Sequence, residues 1–192
     1  MVKKNIYFCS QTLIKIHPNF DEIINKILIK DKKAKIFFIH DKTKIISKKL
    51  FERFKKSIPS NYERISFINQ LNVEEYINFC GSASVLLDTI YFGSGNSFHE
   101  SMFYGTPTVT LPMKNLKSRI VDGAYKQMKI ENPPVVSSID EYVDKVVEIA
   151  NLNKKNMLDI KNYYSKSADQ YLYENINAVK DLEKFFINIS SN

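Results

Sequence analysis

Residues 84–112 read SVLLDTIYFGSGNSFHESMFYGTPTVTLP, and the fold turns on how this stretch is interpreted. Val85–Leu87 is apolar at every position, as in a strand buried on both faces of a parallel sheet. The chain then turns through Gly93, Ser94 and Gly95 into a helix starting near Asn96 and Ser97. That helix stops at Gly105, ahead of Pro107, and Thr108–Leu111 follows as the next buried strand. A glycine-rich exit from a strand into a helix start leaves several backbone N–H groups unpaired at one point, which suits a phosphate. The same Gly-x-Gly also has a plainer reading, an ordinary tight βα turn. Phe98 stands where a dinucleotide fingerprint has its third glycine, and there is no Walker lysine, so a Rossmann dehydrogenase and a P-loop NTPase are both disfavoured.

Outward from this stretch, strand and helix patterns alternate. Upstream lie an apolar run at Ile6–Cys9, a helix over Phe20–Ile29, a second run at Ile36–Ile39 and a helix over Thr43–Ser57 that ends before Pro59. A strand at Arg64–Asn69 and a short helix over Val73–Phe79, capped by Asn72, complete that side. The pattern is that of an α/β, Rossmann-like, doubly wound parallel sheet. Downstream, helical spacing covers Leu116–Met128, Pro133-Pro134 breaks the chain before a short Val135-Val136 strand, and Ile139–Ala150 is an amphipathic helix with an acidic first turn. Helices follow over Asn153–Ser165 and Asp169–Ile189. In the last, Leu172, Ile176, Val179, Leu182, Phe186 and Ile189 recur at three-to-four spacing, which predicts that it lies on the domain. The expected organisation is one Rossmann-like domain over residues 1–150 with C-terminal helices over 151–192 packed on it.

A length of 192 residues suits one such domain and is short for two with a catalytic cleft between them. No apolar run approaches the roughly 20 residues of a membrane helix, and the N-terminal apolar run is too short for the core of a signal peptide. Cys9 and Cys80, far apart and each on an apolar stretch, read as reduced core thiols of a cytoplasmic protein. His17, His40 and His99 show no ligand spacing, so no metal is expected. The net charge of +7 would fit an anionic partner. Abundant Lys, Ile and Asn without Trp is also what an AT-rich genome encodes, and lysines between apolar helix positions form solvated faces; nucleic-acid binding is not expected.

Two charged residues near the ends of the strands carry paired readings. Glu100 completes a Ser97-x-x-Glu100 capping box, or else points into the cleft and accepts hydrogen bonds from a ribose. Lys15, in CSQTLIKIHP (residues 9–18), lies in the loop after the first strand, at the carboxyl edge where ligands of open α/β folds collect. There it could neutralise a diphosphate, or simply be solvated.

Taken together, CSQTLIKIHPNFDEI, FINQLNVEEYINFCGSASVLLDT and GNSFHESMFYGTPTVTLPMKNLKSRI resemble the C-terminal half of the O-GlcNAc transferase/SPINDLY family and its bacterial relatives, the adhesin glucosyltransferases among them. The resemblance covers about residues 5–150 and implies the nucleotide-sugar-binding half of a GT-B glycosyltransferase that inverts the anomeric centre without a metal or cofactor. It implies that Lys15 contacts the diphosphate, that Gln11 lines the same site, that the turn at Gly95, Asn96 and Ser97 faces the phosphates, that Glu100 meets the ribose and that Tyr76 lies beside the base. It implies a UDP-sugar or other nucleoside diphosphate sugar as donor, a protein side chain as acceptor and a separate N-terminal GT-B half as partner. Val73 stands where the animal enzymes have a lysine, and the Asn-Ser pair and Glu100 replace Thr-Thr and Asp, so sugar and nucleotide stay open. No role falls to His17 or His99. The alternative to an enzyme component is a non-catalytic nucleotide-binding or assembly module on the same half-fold.

Overall fold

The computed structural model describes residues 5–190. Five parallel strands form the sheet: β1 (Asn5–Phe8), β2 (Ala34–Ile39), β3 (Ile65–Ile68), β4 (Val85–Leu87) and β5 (Thr108–Val109), in the order β3-β2-β1-β4-β5. β1 is central, pairing Asn5 through Phe8 with Ala34 through Phe37 on one side, and Tyr7 and Phe8 with Val85 and Leu86 on the other. The winding reverses between β1 and β4, and such a reversal opens a crevice at the carboxyl ends of those two strands.

Alternate strand residues feed two cores. Tyr7, Ile36, Phe38, Val85, Leu87 and Val109 point to one face and pack against α1 (Asn19–Lys30), α2 (Ile45–Ser57) and α6 (Ile139–Ala150). Phe8 and Leu86 point to the other, against α3 (Val73–Ser82), where the Phe8 and Phe79 rings meet edge to face at 4.7 Å. Each fully buried Phe, Ile or Leu contributes about 1.5–3 kcal/mol, so covering both faces is what stabilises an all-parallel sheet. α1 is seated on α6 by Phe20 against Tyr142 and by the Lys26–Asp140 ion pair at 2.9 Å. A bidentate Arg53 joins it to α2, with Nε and Nη2 donating to the two oxygens of the 5 % exposed Asp21 at 3.0 and 2.7 Å.

Several boundaries differ from the periodicity reading, each for a local reason. α2 starts at Ile45 rather than Thr43, because Lys44 takes a left-handed φ of 58° and the Asp41 carboxylate turns back to accept from Ser47 N and Oγ. α3 carries the expected Asn72 cap, completed by Glu75, but continues to Ser82. Gly81 does not break it, since its bare Cα lies against the Tyr104 ring, where a Cβ would come within 2.6 Å of Cδ2. The helix expected over Leu116–Met128 is a single 3-10 turn, Leu116–Ser118, followed by α5 (Ile120–Gln127). Val135 forms one bridge to Thr110 instead of a strand, because Pro133 and Pro134 have no N–H to donate.

α4 (Asn96–Ser101) ends short of the expected stop at Gly105, with Met102 as its cap and a turn over 102–105. Beyond it and α5, the helix α7 (Lys154–Tyr171) packs Tyr164 and Ala168 into a cluster with Phe98, Met102 and Tyr125. Gly105 allows that approach: its φ is 62°, and a Cβ there would fall 2.0 Å from the Lys161 carbonyl oxygen. α7 runs six residues beyond the expected Ser165, and Leu172 caps it instead of belonging to the last helix. α8 (Ile176–Ser190) corrects a stronger expectation, that this helix lies on the domain. It buries no residue, and Val179, Leu182, Phe186 and Ile189 are 49–59 % exposed. Apolar spacing shows that a helix face wants a partner, not that the partner is in the same chain.

Deleting residues 176–192 should therefore change the unfolding free energy by no more than about 0.5 kcal/mol in urea titration. Burial pushes the Cys9 and Cys80 thiols up to about 12, so a thiol reagent at pH 8 should label neither in the native protein and both in denaturant.

Candidate functional site

The crevice between β1 and β4 is built by the two loops that leave those strands. From β1, Gln11 turns inward and is 3 % exposed. Its amide Nε2 donates to Ser94 Oγ at 2.5 Å and Ser97 Oγ at 2.9 Å, while its Oε1 accepts from Lys15 Nζ at 3.0 Å. Lys15 closes a 3-10 turn, Leu13–Lys15, whose Leu13 is anchored in the core. Its ammonium also donates to the Gly93 carbonyl at 3.1 Å and stands 4.1 Å from the Phe92 ring centroid. Partial burial lowers its pKa, and the nearby Asp88 carboxylate works against that shift.

From β4, the first residue past the strand is Asp88, 1 % exposed, which organises the glycine turn. Its Oδ1 accepts from Ser94 N at 2.7 Å and Ser94 Oγ at 3.0 Å, and its Oδ2 accepts from Thr110 Oγ1 at 2.7 Å. Burial raises its pKa while these donors lower it. Gly93 must be bare because a Cβ there would lie 2.9 Å from Asp88 Oδ2. Nothing lies within 4 Å of a Cβ placed on Gly95, so the space in front of the turn is open.

α4 begins at Asn96 with Gly95 as its cap and without a capping side chain. The Ser97–Glu100 capping box is therefore not formed: Ser97 is already inside the helix and its Oγ is taken by Gln11. Among the described residues the backbone N–H groups of Gly95, Asn96 and Ser97 have no acceptor. Tyr76, from α3, donates its hydroxyl to the Ser97 carbonyl at 3.2 Å. Its phenol is pushed up by burial first, then by Cys80, with Glu100 adding a smaller push from its exposed position. The structure thus brings Lys15, Gln11, Ser97 and Tyr76 into one hydrogen-bonded group, with Gly95 and Asn96 at its open side and Glu100 one helical turn away.

His99 and His17 are committed elsewhere. His99 Nδ1 lies 3.2 Å from the Gly95 carbonyl, and His17 Nδ1 accepts from Asn19 N while its ring packs edge-on against Tyr91. His17 does line a cavity of about 310 Å³ beside Lys15, together with Thr12, Ile14, Tyr91 and Phe92. Sequence reasoning missed Asp88, Ser94 and Phe92. The available signal was Asp88 itself, a charged residue directly after a strand apolar at all positions.

Among the described residues, the site thus combines one ammonium without a carboxylate ion-pair partner, three amide N–H groups without acceptors, and open space beside Gly95. With the winding order, it gives the fold class: the chain has the fold of a GT-B glycosyltransferase domain. The chain superposes on a mutant O-GlcNAc transferase from Thermobaculum terrenum with a TM-score of 0.81 at 16 % identity, over 95 % of this chain and 35 % of that one. Staphylococcus aureus TarM, solved with fondaparinux, α-GlcNAc-glycerol and UDP, matches with a TM-score of 0.67 at 14 % identity, over 95 % of this chain and 35 % of that one. The C-terminal domain of the group 1 glycosyl transferase LpcC from Francisella tularensis matches at 0.61 and 16 %, over 88 % of this chain and 85 % of that domain. In sequence, 125 residues are 25 % identical to the Arabidopsis thaliana protein described as a probable UDP-N-acetylglucosamine–peptide N-acetylglucosaminyltransferase, SEC. The match covers 65 % of this chain and 13 % of that relative, so the chain spans about an eighth of its length. No protein-family model matches. The resemblance read from the three motifs is thus met by both sequence and fold. Among the described residues no helix is long and apolar enough to cross a membrane.

Replacing Asp88 with Ala strands three buried donors at once. It should cost about 3 kcal/mol in urea unfolding and expose the Cys9 thiol to reagent, because the turn above it loses its support.

Proposed function

We propose that the chain is the donor-binding half of a metal-independent, inverting glycosyltransferase that moves a sugar from a nucleoside diphosphate sugar, UDP-GlcNAc-like, to a protein side chain. The observation that carries this reading is the convergence of Lys15, held by Gln11 and Gly93, on the open turn at Gly95, Asn96 and Ser97. Breaking a bond between a sugar and a nucleoside diphosphate builds negative charge on the departing phosphate, and fixed donors aimed at that charge act mainly on the transition state. Lys15 supplies the full positive charge. α4 is only six residues long, so its contribution is the individual N–H groups at its start more than a helix dipole. In this reading Gln11 orients Lys15, Tyr76 borders the base and Glu100 accepts from the ribose.

UDP in the TarM structure and the name of the Arabidopsis relative support a UDP-sugar donor, and that name also supports a peptide acceptor. The chain covers about a third of the O-GlcNAc transferase structure, and we assign the acceptor side of the cleft to an N-terminal half. The apolar stripe of α8, exposed at Val179, Leu182, Phe186 and Ile189, is a surface that such a half could cover. Two buried free thiols fit a reducing cytoplasm. The second reading is a nucleotide-binding module that transfers nothing itself, since a fold does not by itself carry catalysis.

Calorimetric titration with UDP, GDP and their sugars separates these readings from no function at the crevice. Binding is expected for at least one nucleoside diphosphate, and Lys15→Ala should weaken it roughly 10- to 100-fold, equivalent to about 1.5–3 kcal/mol, without lowering the melting temperature. No binding at millimolar ligand overturns both readings. Binding without sugar transfer when the N-terminal half is supplied leaves only the module.

A further inference from the structure

Phe92, 40 % exposed at the rim of the crevice, carries two ammonium groups over its ring. Lys15 Nζ lies 4.1 Å from the ring centroid and Lys117 Nζ lies 5.2 Å from it. The two cations come from distant parts of the chain, yet both segments are fastened to the same residue. The Gly93 carbonyl accepts from Lys15 Nζ at 3.1 Å, and the Gly93 N–H donates to the Lys117 carbonyl at 2.9 Å.

Lys117 is placed by a built turn. The Asn115 side chain accepts from Ser118 N at 3.0 Å, and Ser118 Oγ, in a residue 1 % exposed, accepts from Met113 N at 2.9 Å. Among the described residues, Lys26, Lys30, Lys55 and Lys126 each reach a carboxylate, and neither Lys15 nor Lys117 does. Two like charges sharing one ring repel, and the attraction of an exposed ring for each cation, about 0.5–1 kcal/mol, is small compensation. An anion bound between them would turn that repulsion into attraction on both sides.

We propose that Lys117 is a second phosphate-binding residue, which with Lys15 grips the distal phosphate of a diphosphate ligand across Phe92. The identification of that ligand as a nucleoside diphosphate rests on the donor reading above. Lys15, backed by Gln11 and the glycine turn, can hold a phosphate alone. Lys117 shares the Phe92 ring with Lys15, so it comes into contact when the second phosphate of a diphosphate reaches that ring. The site therefore prefers diphosphates over monophosphates, and Lys117 sets that preference.

The test titrates the full chain, Lys117→Gln and Lys114→Gln with UDP, UMP and inorganic pyrophosphate. Both lysines are exposed, so neither variant should change the melting temperature. The expected result is a roughly tenfold loss of UDP and pyrophosphate affinity in Lys117→Gln, with UMP unchanged and Lys114→Gln like the parent. Equal diphosphate affinity in Lys117→Gln and the parent overturns the proposal, as does an equal loss in both variants, which would report only a long-range field. Absence of any diphosphate binding by the parent overturns it as well. Pyrophosphate binding that depends on Lys117 but gains nothing from a nucleoside would keep the two-lysine site and remove the donor reading. UDP binding indifferent to Lys117 would do the reverse.

Discussion

The hydrogen bonds from Ser94 to the buried Asp88 carboxylate determine where everything else at the carboxyl edge of the sheet can stand. A carboxylate inside an apolar sheet end is costly unless donors surround it, and the turn from Gly93 to Ser94 supplies two of them by folding back over the strand it has just left. Folded this way, the turn points the Gly93 carbonyl at Lys15 and leaves the next three N–H groups without acceptors. Thr110, beyond β5, completes the shell, so the carboxylate also ties the loop to the neighbouring strand. Structural satisfaction below and unsatisfied donors above are two consequences of one conformation.

Charge is distributed along the same line. Lys15 is partly withdrawn from water, which on its own would favour the neutral amine, and the negative group behind it at Asp88 counters that. Its direct acceptors are a side-chain amide oxygen and a backbone carbonyl, not a carboxylate that would neutralise it. A cation held this way is oriented without being neutralised. Gln11 is the link, because one planar amide donates to two hydroxyls on the far loop and accepts from the lysine on its own.

Packing divides the molecule unevenly. The sheet and the helices on its two faces bury their apolar residues within the chain, and α7 closes the cluster around Phe98 and Tyr125, which holds α4 from behind. α8, which buries none of its described residues, presents an apolar stripe outward. Its amphipathic pattern is therefore not explained by packing within the described residues.

The sequence by itself determined the alternation of strands and helices, the cap at Asn72, the extent of Ile139–Ala150 and the glycine turn after β4, because these follow from local periodicity and turn chemistry. Lys15, Gln11 and the turn at Gly95 were legible as candidates because loops at the carboxyl edge of a parallel sheet must gather in one place. Only the tertiary structure decided that Gln11 bridges the two loops, that Ser97 answers to it and not to Glu100, that Asp88 underlies the turn, and that Lys117 reaches the same ring as Lys15. These are contacts between residues up to about a hundred positions apart, and no local pattern encodes them. The same reason explains α8: its spacing was visible in the chain, but whether a surface lay opposite depended on how the rest of the chain packed.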